Sequence, residues 1–414
     1  MFLNGKGIDQ ITEDDLLALI DREEDKYLDF KRNAYIPAGE TKMVEKQQWE
    51  FAADLASFAN ASGGYIICGM GTTDGRASDL KGLGEANTDL TINTLTQVAE
   101  YQVEPRIPGL QIRAVKLANA TAAIVIYIPE SFAGPHWVKG TQQFHSRRSN
   151  GKTKMDLDEL RRAFSLSENF IERIRGFRLE RVEAILSGNQ QLLPVVVQPG
   201  AKLITHAIPV SFVNNAVVDL KEINKIGASS SEDFESYSDF GHFDFDGYAV
   251  PFIYQKDASV SDEGYIRVFR TGVIECVRKL FKSSQDQINL MSLEEIENES
   301  LQYIHDSLEI QRSINIETPI VVALSLAGIQ NHHFVISRDH PTYKHQPSTN
   351  MIRKEVVFPE IVVEDYKQDI PSLMRPIFDM LWNGAGKLQT HSYTEAGSWK
   401  HPNRLRYMSD SRRS

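Results

Sequence analysis

The chain has 414 residues, 41% of them hydrophobic and 24% charged, which is enough for two or three domains with separate cores and ordinary for a soluble globular protein. No apolar run approaches the length of a membrane helix, the first residues do not read as a signal peptide, and Cys68 and Cys276 sit singly in apolar segments. These features exclude a membrane span and a zinc or disulfide framework, so a cytoplasmic protein with two buried thiols is expected.

The net charge of −11 argues against a nucleic-acid partner only if it is evenly spread. It is not. From Lys139 to Arg181 there are eleven Lys and Arg against six Asp and Glu, whereas Asp219 to Glu263 has eleven acids and three lysines. Basic surface beside an acidic lobe is compatible with nucleic acid, although any single cluster is most simply a solvated face.

In chain order, residues 9–22 predict a short helix capped by Thr12 with acids in its first turn. Tyr27 to Arg32 alternates, with Leu28 and Phe30 on one side and Asp29 and Lys31 on the other, the pattern of a half-buried strand. Residues 43–59 carry apolar side chains at helical spacing, Gly63-Gly64 breaks the chain, and Tyr65 to Met70 predicts a buried strand. A helix is expected over 89–103, a hairpin from Gln111–Leu117 and Ala122–Ile128, and a strand over Gln142–Arg148. A helix from Asp156 to Leu186, with a break near Ser165–Ser167, closes a first domain, 1–186. The loop 187–200, with two Gly and two Pro, reads as a linker.

The second domain, 201–414, opens with a strand over Ala201–Val210 and an acidic, aromatic loop around Ser229–Asp246. Strands are expected at Tyr248–Tyr254 and Gly264–Arg270, helices at about 272–283 and 293–313, and strands at Pro319–Leu326 and His333–Ser337. A helix near Ile370–Leu381 and a loosely structured stretch, 384–414, complete it. The class is α+β.

The chemistry concentrates at three places. Glu24 lies five residues before Asp29, and Asp74 sits on the turn after the Tyr65–Met70 strand. If the two strands neighbour one another, three carboxylates converge, and hard oxygens of this kind suit Mg²⁺ or Mn²⁺. Such an ion activates a water or ribose hydroxyl and neutralises charge on phosphorus. Lys31, on the face of Asp29, is placed to meet a phosphate. Acids near a strand start are otherwise simply solvated. Arg147 and Arg148 close a strand, and Lys152 and Lys154 lead into the next helix, a basic run suited to phosphate. Gly151-Lys152-Thr153 is not a P-loop, because Ser146 stands where its first glycine is required. Gly63-Gly64 precedes a strand and so is no dinucleotide fingerprint. His136 and His145 read as packed histidines.

Taken together, Glu24, Asp29-Phe30-Lys31, the helix end Ser57-Phe58-Ala59-Asn60-Ala61-Ser62-Gly63-Gly64, the strand Ile66 to Met70 and the arginine strand Phe144 to Ser149 resemble the Schlafen AlbA_2 (divergent AAA-4, or Schlafen-core) family. The resemblance covers roughly residues 15–165. It implies an N-terminal mixed sheet flanked by helices. It also implies a metal-dependent endoribonuclease cleaving tRNA or similar structured RNA, with Glu24, Asp29 and Asp74 as metal-binding and catalytic acids and Lys31 beside them. Lys31, Arg32, Arg147, Arg148, Lys152 and Lys154 would contact nucleic acid. This chain carries Asp29 where the family usually has Glu. Bacterial relatives with a further C-terminal domain resemble phage-defence components, and the family's two-copy RNA cleft implies a homodimer. The competing expectation is a non-catalytic DNA- or RNA-binding module. An ATPase fails for want of a Walker A motif.

Overall fold

The computed structural model describes residues 7–36, 43–84, 88–131, 133–148, 151–214, 217–218, 241–256, 259–280, 289–336 and 350–400. They form two compact units, Met1–Arg173 and Ile174–Ser414.

In the first unit a four-stranded mixed sheet runs in the order β1 (Leu28–Lys31), β2 (Gly64–Cys68), β7 (Ala122–Ile128), β6 (Gln111–Lys116). β1 and β2 are parallel, with Asp29 opposite Ile66 and Lys31 opposite Cys68, and the other pairs are antiparallel. Both faces are covered. Ile66, Cys68, Ile124 and Ile126 pack with Phe51, Leu55 and Phe58 of α2 (Glu45–Ala59) and with Leu95 of α3 (Thr88–Gln102). Leu28, Phe30, Tyr65 and Ile67 pack on the opposite face with Leu16 and Leu19. Leu16 belongs to α1 (Glu13–Leu17), which is shorter than the helix expected over 9–22 because it begins only after the Thr12 cap and ends about one turn early at Ala18. Its Thr12–Asp15 capping box is formed, with both the Thr12 N–H and hydroxyl donating to Asp15.

This two-sided covering changes the reading of β1. A half-buried strand was expected to turn Asp29 toward water, yet Asp29 is only 4% exposed, because its side of the strand lies under α2 and a hairpin. That hairpin is β9 (Gln143–Arg148) and β10 (Gly151–Lys154), part of a second sheet ordered β10, β9, β8 (Trp137–Val138), β5 (Val103–Glu104). The turn after β2 continues into a small hairpin, β3 (Met70–Thr73) and β4 (Arg76–Leu80).

Helix α4, Leu157–Ser187, runs without the expected break, and the division between the units falls within it. Residues 187–200 lie in the second unit, where Leu193 is buried and Leu192, Val195 and Val197 pack against Ile204 and Tyr265.

The second unit is built on one antiparallel sheet. Its order is β12 (His242–Phe243), β13 (Gly247–Lys256), β14 (Ser259–Phe269), β15 (Ile274–Lys279), β11 (Lys202–Pro209), β17 (Ile320–Ala327), β19 (Glu355–Val357), and β20 (Ile361–Val363) also pairs with β17. The helix expected near 272–283 is instead strand β15. Val273, Ile274, Cys276 and Val277 are all buried on either side of Glu275, a pattern that periodicity alone does not assign, and their β-branched content suits the centre of a sheet. β16 (Asn289–Ser292) and β18 (His332–Val335) pair in parallel, and α5 (Leu293–Ser313) and α6 (Ile370–Gly384) complete the core. Most of the acidic loop expected around 229–246 lies outside the described residues. The stretch after 384 is not loose throughout, since Tyr393 and Trp399 are buried and their rings pack 5.0 Å apart.

Two buried carboxylates organise this unit. Glu275 takes two hydrogen bonds from Arg181, at 2.9 and 2.8 Å, one from the Tyr265 hydroxyl at 2.7 Å, and a contact from His206 Nε2 at 3.0 Å. Glu297 accepts from Trp382 Nε1 at 2.8 Å, Thr390 Oγ1 at 2.6 Å and Ser392 Oγ at 2.5 Å, which ties α5 to α6 and to the segment beyond it.

Candidate nucleic-acid site

A cleft of about 500 Å³ opens in the first unit, between β1, α2, the β3–β4 turn and the β9–β10 hairpin. Each element delivers one kind of side chain. β1 brings Asp29 and Lys31, the segment before it brings Glu24, α2 brings Asp54, the turn brings Asp74, and the hairpin brings Arg147 and Lys152.

Glu24 is positioned from both sides. Its Oε1 accepts the Phe30 N–H at 3.0 Å, and its own N–H donates to the Gly75 carbonyl at 3.0 Å. The second bond belongs to a short backbone pairing of residues 21–24 with 75–77, and this pairing is what carries Asp74 to the cleft. Asp74 (φ 51°) and Gly75 (φ 74°) both adopt the left-handed conformation, as a tight hairpin turn needs.

Asp29 sits among cations. Lys31 Nζ is 2.8 Å from its Oδ2 and Arg147 Nη2 is 3.3 Å from its Oδ1. Arg147 is itself only 6% exposed, lies 4.1 Å over the Phe58 ring, and donates from Nε to the Asp25 carbonyl at 3.3 Å. Burial raises the Glu24 pKa above the usual carboxylate value, the Asp29 charge adds to the rise, and the Phe30 N–H opposes it. For Lys31, burial works against the charge, but Asp29, Asp54 and Glu24 together outweigh it, so its pKa lies above the ordinary lysine value.

Among the described residues no three His, Cys, Asp or Glu side chains gather tightly enough to hold an ion. Glu24 and Asp29 come together, and Asp74 stands on the cleft wall without closing a three-acid group. The donor chemistry of the pair still fits a hard divalent ion. Asp29 Oδ2 is buried against the Lys31 ammonium, which an incoming ion would have to share or displace, and Glu24 is crowded by the like charge of Asp29. Mg²⁺ ordinarily keeps several waters and needs only one or two protein carboxylates.

The six basic residues expected to meet nucleic acid separate into two groups. Lys31, Arg147 and Lys152 line the cleft. Arg32 pairs with Asp79 and Arg148 with Glu159, both away from the cleft, and Lys154 is exposed at the end of β10. His136 and His145 are buried outside the cleft. Burial takes His136 down to about 4, and burial followed by Lys152 lowers His145. Asn60 explains its place after Phe58-Ala59. Its amide donates to the His136 and His145 carbonyls at 3.0 and 2.9 Å and accepts the His136 N–H at 2.6 Å, locking the end of α2 to β9.

Sequence reasoning passes over Asp54. It is 4% exposed, accepts the Tyr35 hydroxyl at 2.8 Å and pairs with Lys152 Nζ at 2.7 Å. The available signal is a lone carboxylate inside Phe51-Ala52-Ala53-Asp54-Leu55-Ala56, where a buried charge demands a partner.

Residues 24–156 match the family described as Schlafen, AlbA_2. The matched segment contains every cleft residue except Glu23, and the family ties it to nucleic-acid-related function. No curated protein matches the chain. Among solved structures, the DIP2311 protein from Corynebacterium diphtheriae is 19% identical with a TM-score of 0.24, over 37% of this chain and 25% of that one. The match thus spans about a quarter of that protein's length. Among the described residues no helix is long and apolar enough to cross a membrane.

Proposed function

We propose that the first unit is a divalent-metal-dependent endoribonuclease acting on tRNA or similar folded RNA. The observation that carries this reading is the pairing of Glu24 and Asp29 with Lys31 in one cleft, inside a segment of a nucleic-acid-related family. Glu24 and Asp29 would hold Mg²⁺ or Mn²⁺, with Asp74 reached through water. When bound, such an ion neutralises charge developing on the phosphoryl group and lowers the pKa of an attacking water or 2′-hydroxyl. The Phe30 N–H fixes one Glu24 oxygen and so holds this cleft-lining carboxyl beside Asp29. Lys31 remains charged beside Asp29 and supplies an ammonium to the scissile phosphate. Arg147 is engaged with Asp29 and Phe58 and holds the hairpin over the acids. The resemblance supports work as a homodimer in anti-phage or stress defence, with residues 201–414 in a sensing or assembly role.

A second reading, a non-catalytic DNA- or RNA-binding module, is favoured by the two cations that already neutralise Asp29. Incubation of the full chain with end-labelled tRNA and with duplex DNA, in Mn²⁺, Mg²⁺ or EDTA, separates the two. The nuclease gives tRNA fragments with metal and none in EDTA. A gel shift with intact nucleic acid under every condition supports the binder.

A further inference from the structure

Arg147 and Lys152 are directly opposite one another in the β9–β10 register, so the hairpin presents both cations on one face. Each meets a buried acid, Arg147 on Asp29 and Lys152 on Asp54. The two pairs are not equivalent. The Arg147 side chain is 6% exposed and its charge is enclosed, whereas Lys152 is 26% exposed at the cleft. An ammonium has three donors. Lys152 directs one to Asp54 Oδ1 at 2.7 Å and another to the Glu50 carbonyl at 3.4 Å, which leaves a third for the cleft.

Asp54 is held in turn. Tyr35 donates to its Oδ2 and packs against Phe51 at 4.9 Å, and Tyr35 itself is buried with φ 58°, a left-handed conformation that a bulky residue keeps only where its surroundings impose it. A strained tyrosine, a buried carboxylate and a half-buried lysine thus form one chain of contacts that ends at the cleft.

We infer that Asp54, fixed by Tyr35, is a positioning residue that aims the Lys152 ammonium at a nucleic-acid phosphate in the cleft. The inference rests on the nucleic-acid reading of that cleft and adds to it the residue that orients the phosphate contact. Lys152 binds the phosphate without leaving Asp54, because its third donor is the one used. Asp54 therefore acts through Lys152 and has no independent contact with the substrate.

The test is a double-mutant cycle in the full chain, with Asp54→Asn, Lys152→Ala and the double variant. It is read twice, as the rate of tRNA cleavage in Mn²⁺ and as fluorescence-anisotropy affinity for labelled tRNA in EDTA across a salt series. Lys152→Ala is expected to reduce the slope of log affinity against log salt by about 1. Asp54→Asn is expected to change cleavage at least tenfold with Lys152 present and less than threefold with Lys152→Ala. Its effect on affinity should likewise depend on the background. Equal effects of Asp54→Asn in the two backgrounds overturn the inference. If Asp54→Asn fails to fold by thermal melting, Tyr35→Phe takes its place, with a smaller effect that must again vanish in Lys152→Ala. A wild-type chain that neither cleaves nor binds tRNA removes the underlying reading. A chain that binds without cleaving leaves the affinity cycle to decide.

Discussion

Two neighbouring arginines show why position decides the role of a charge. Arg147 is enclosed with Asp29 over Phe58, while Arg148, one residue on, is exposed and pairs with Glu159. Removing one partner of an enclosed pair strands the other charge. Arg147→Ala is expected to destabilise the first unit by about 3 kcal/mol, and Arg148→Ala to leave its melting temperature unchanged, both read by thermal denaturation. Glu24 carries a pH expectation. Its pKa in the folded chain is raised by burial and then by Asp29, so the neutral form is favoured and this acid's contribution to stability fades as pH rises through the raised value. Cation binding has the opposite sign, because the proton competes with the ion. Mn²⁺ affinity, followed by titration calorimetry, is expected to rise with pH above the ordinary carboxylate range, and a flat profile would remove Glu24 from the ligand set.

At the scale of elements, the link from α2 to β2 is as constrained as the cleft. A Cβ on Gly63, which has φ 66°, would come within 2.5 Å of the Glu130 backbone nitrogen, and one on Gly64 would strike the Tyr27 carbonyl and the Phe58 ring. The neighbour at Gly63 is backbone and cannot step aside, so Gly63→Ala is expected to cost about 2 kcal/mol or more in a denaturant titration. In the second unit, burial lifts Glu297 to about 7, against the donors Ser392, Thr390 and Trp382 that favour its charged form. Its folded pKa lies above its unfolded value, so its stabilising contribution is complete below about pH 4.5 and is lost as pH rises through about 7. Glu297→Gln is expected to flatten the dependence of melting temperature on pH across that window. The two glycines were legible as a break in the chain. Glu297 was not, since its partners at 382, 390 and 392 come from segments distant in sequence.

For the whole molecule, what could be read in advance divides along the same line. Periodicity found α2, α3, the β6–β7 hairpin and α5 close to their observed ends, because each pattern is local. It misassigned β15, whose apolar residues flank a buried Glu275, and it did not foresee the burial of Asp29, because covering by α2 and β9–β10 is a property of the assembled unit. Spacing brought Glu24, Asp29, Asp74, Lys31, Arg147 and Lys152 to one cleft, but not Arg32, Arg148 or Lys154, whose positions on strand ends direct them elsewhere. Asp54 became visible only with its ion pair. The measurement that bears most directly on the proposed activity compares the wild-type full chain with Glu24→Ala/Asp29→Ala, scoring cleavage and retention of end-labelled tRNA in the same Mn²⁺ reactions. Metal-dependent fragments that vanish in the double variant, with tRNA retention held or strengthened as negative charge leaves the cleft, are the expected result. Equal cleavage by both proteins would contradict the account, because the acids gathered at β1 would then have no part in the chemistry.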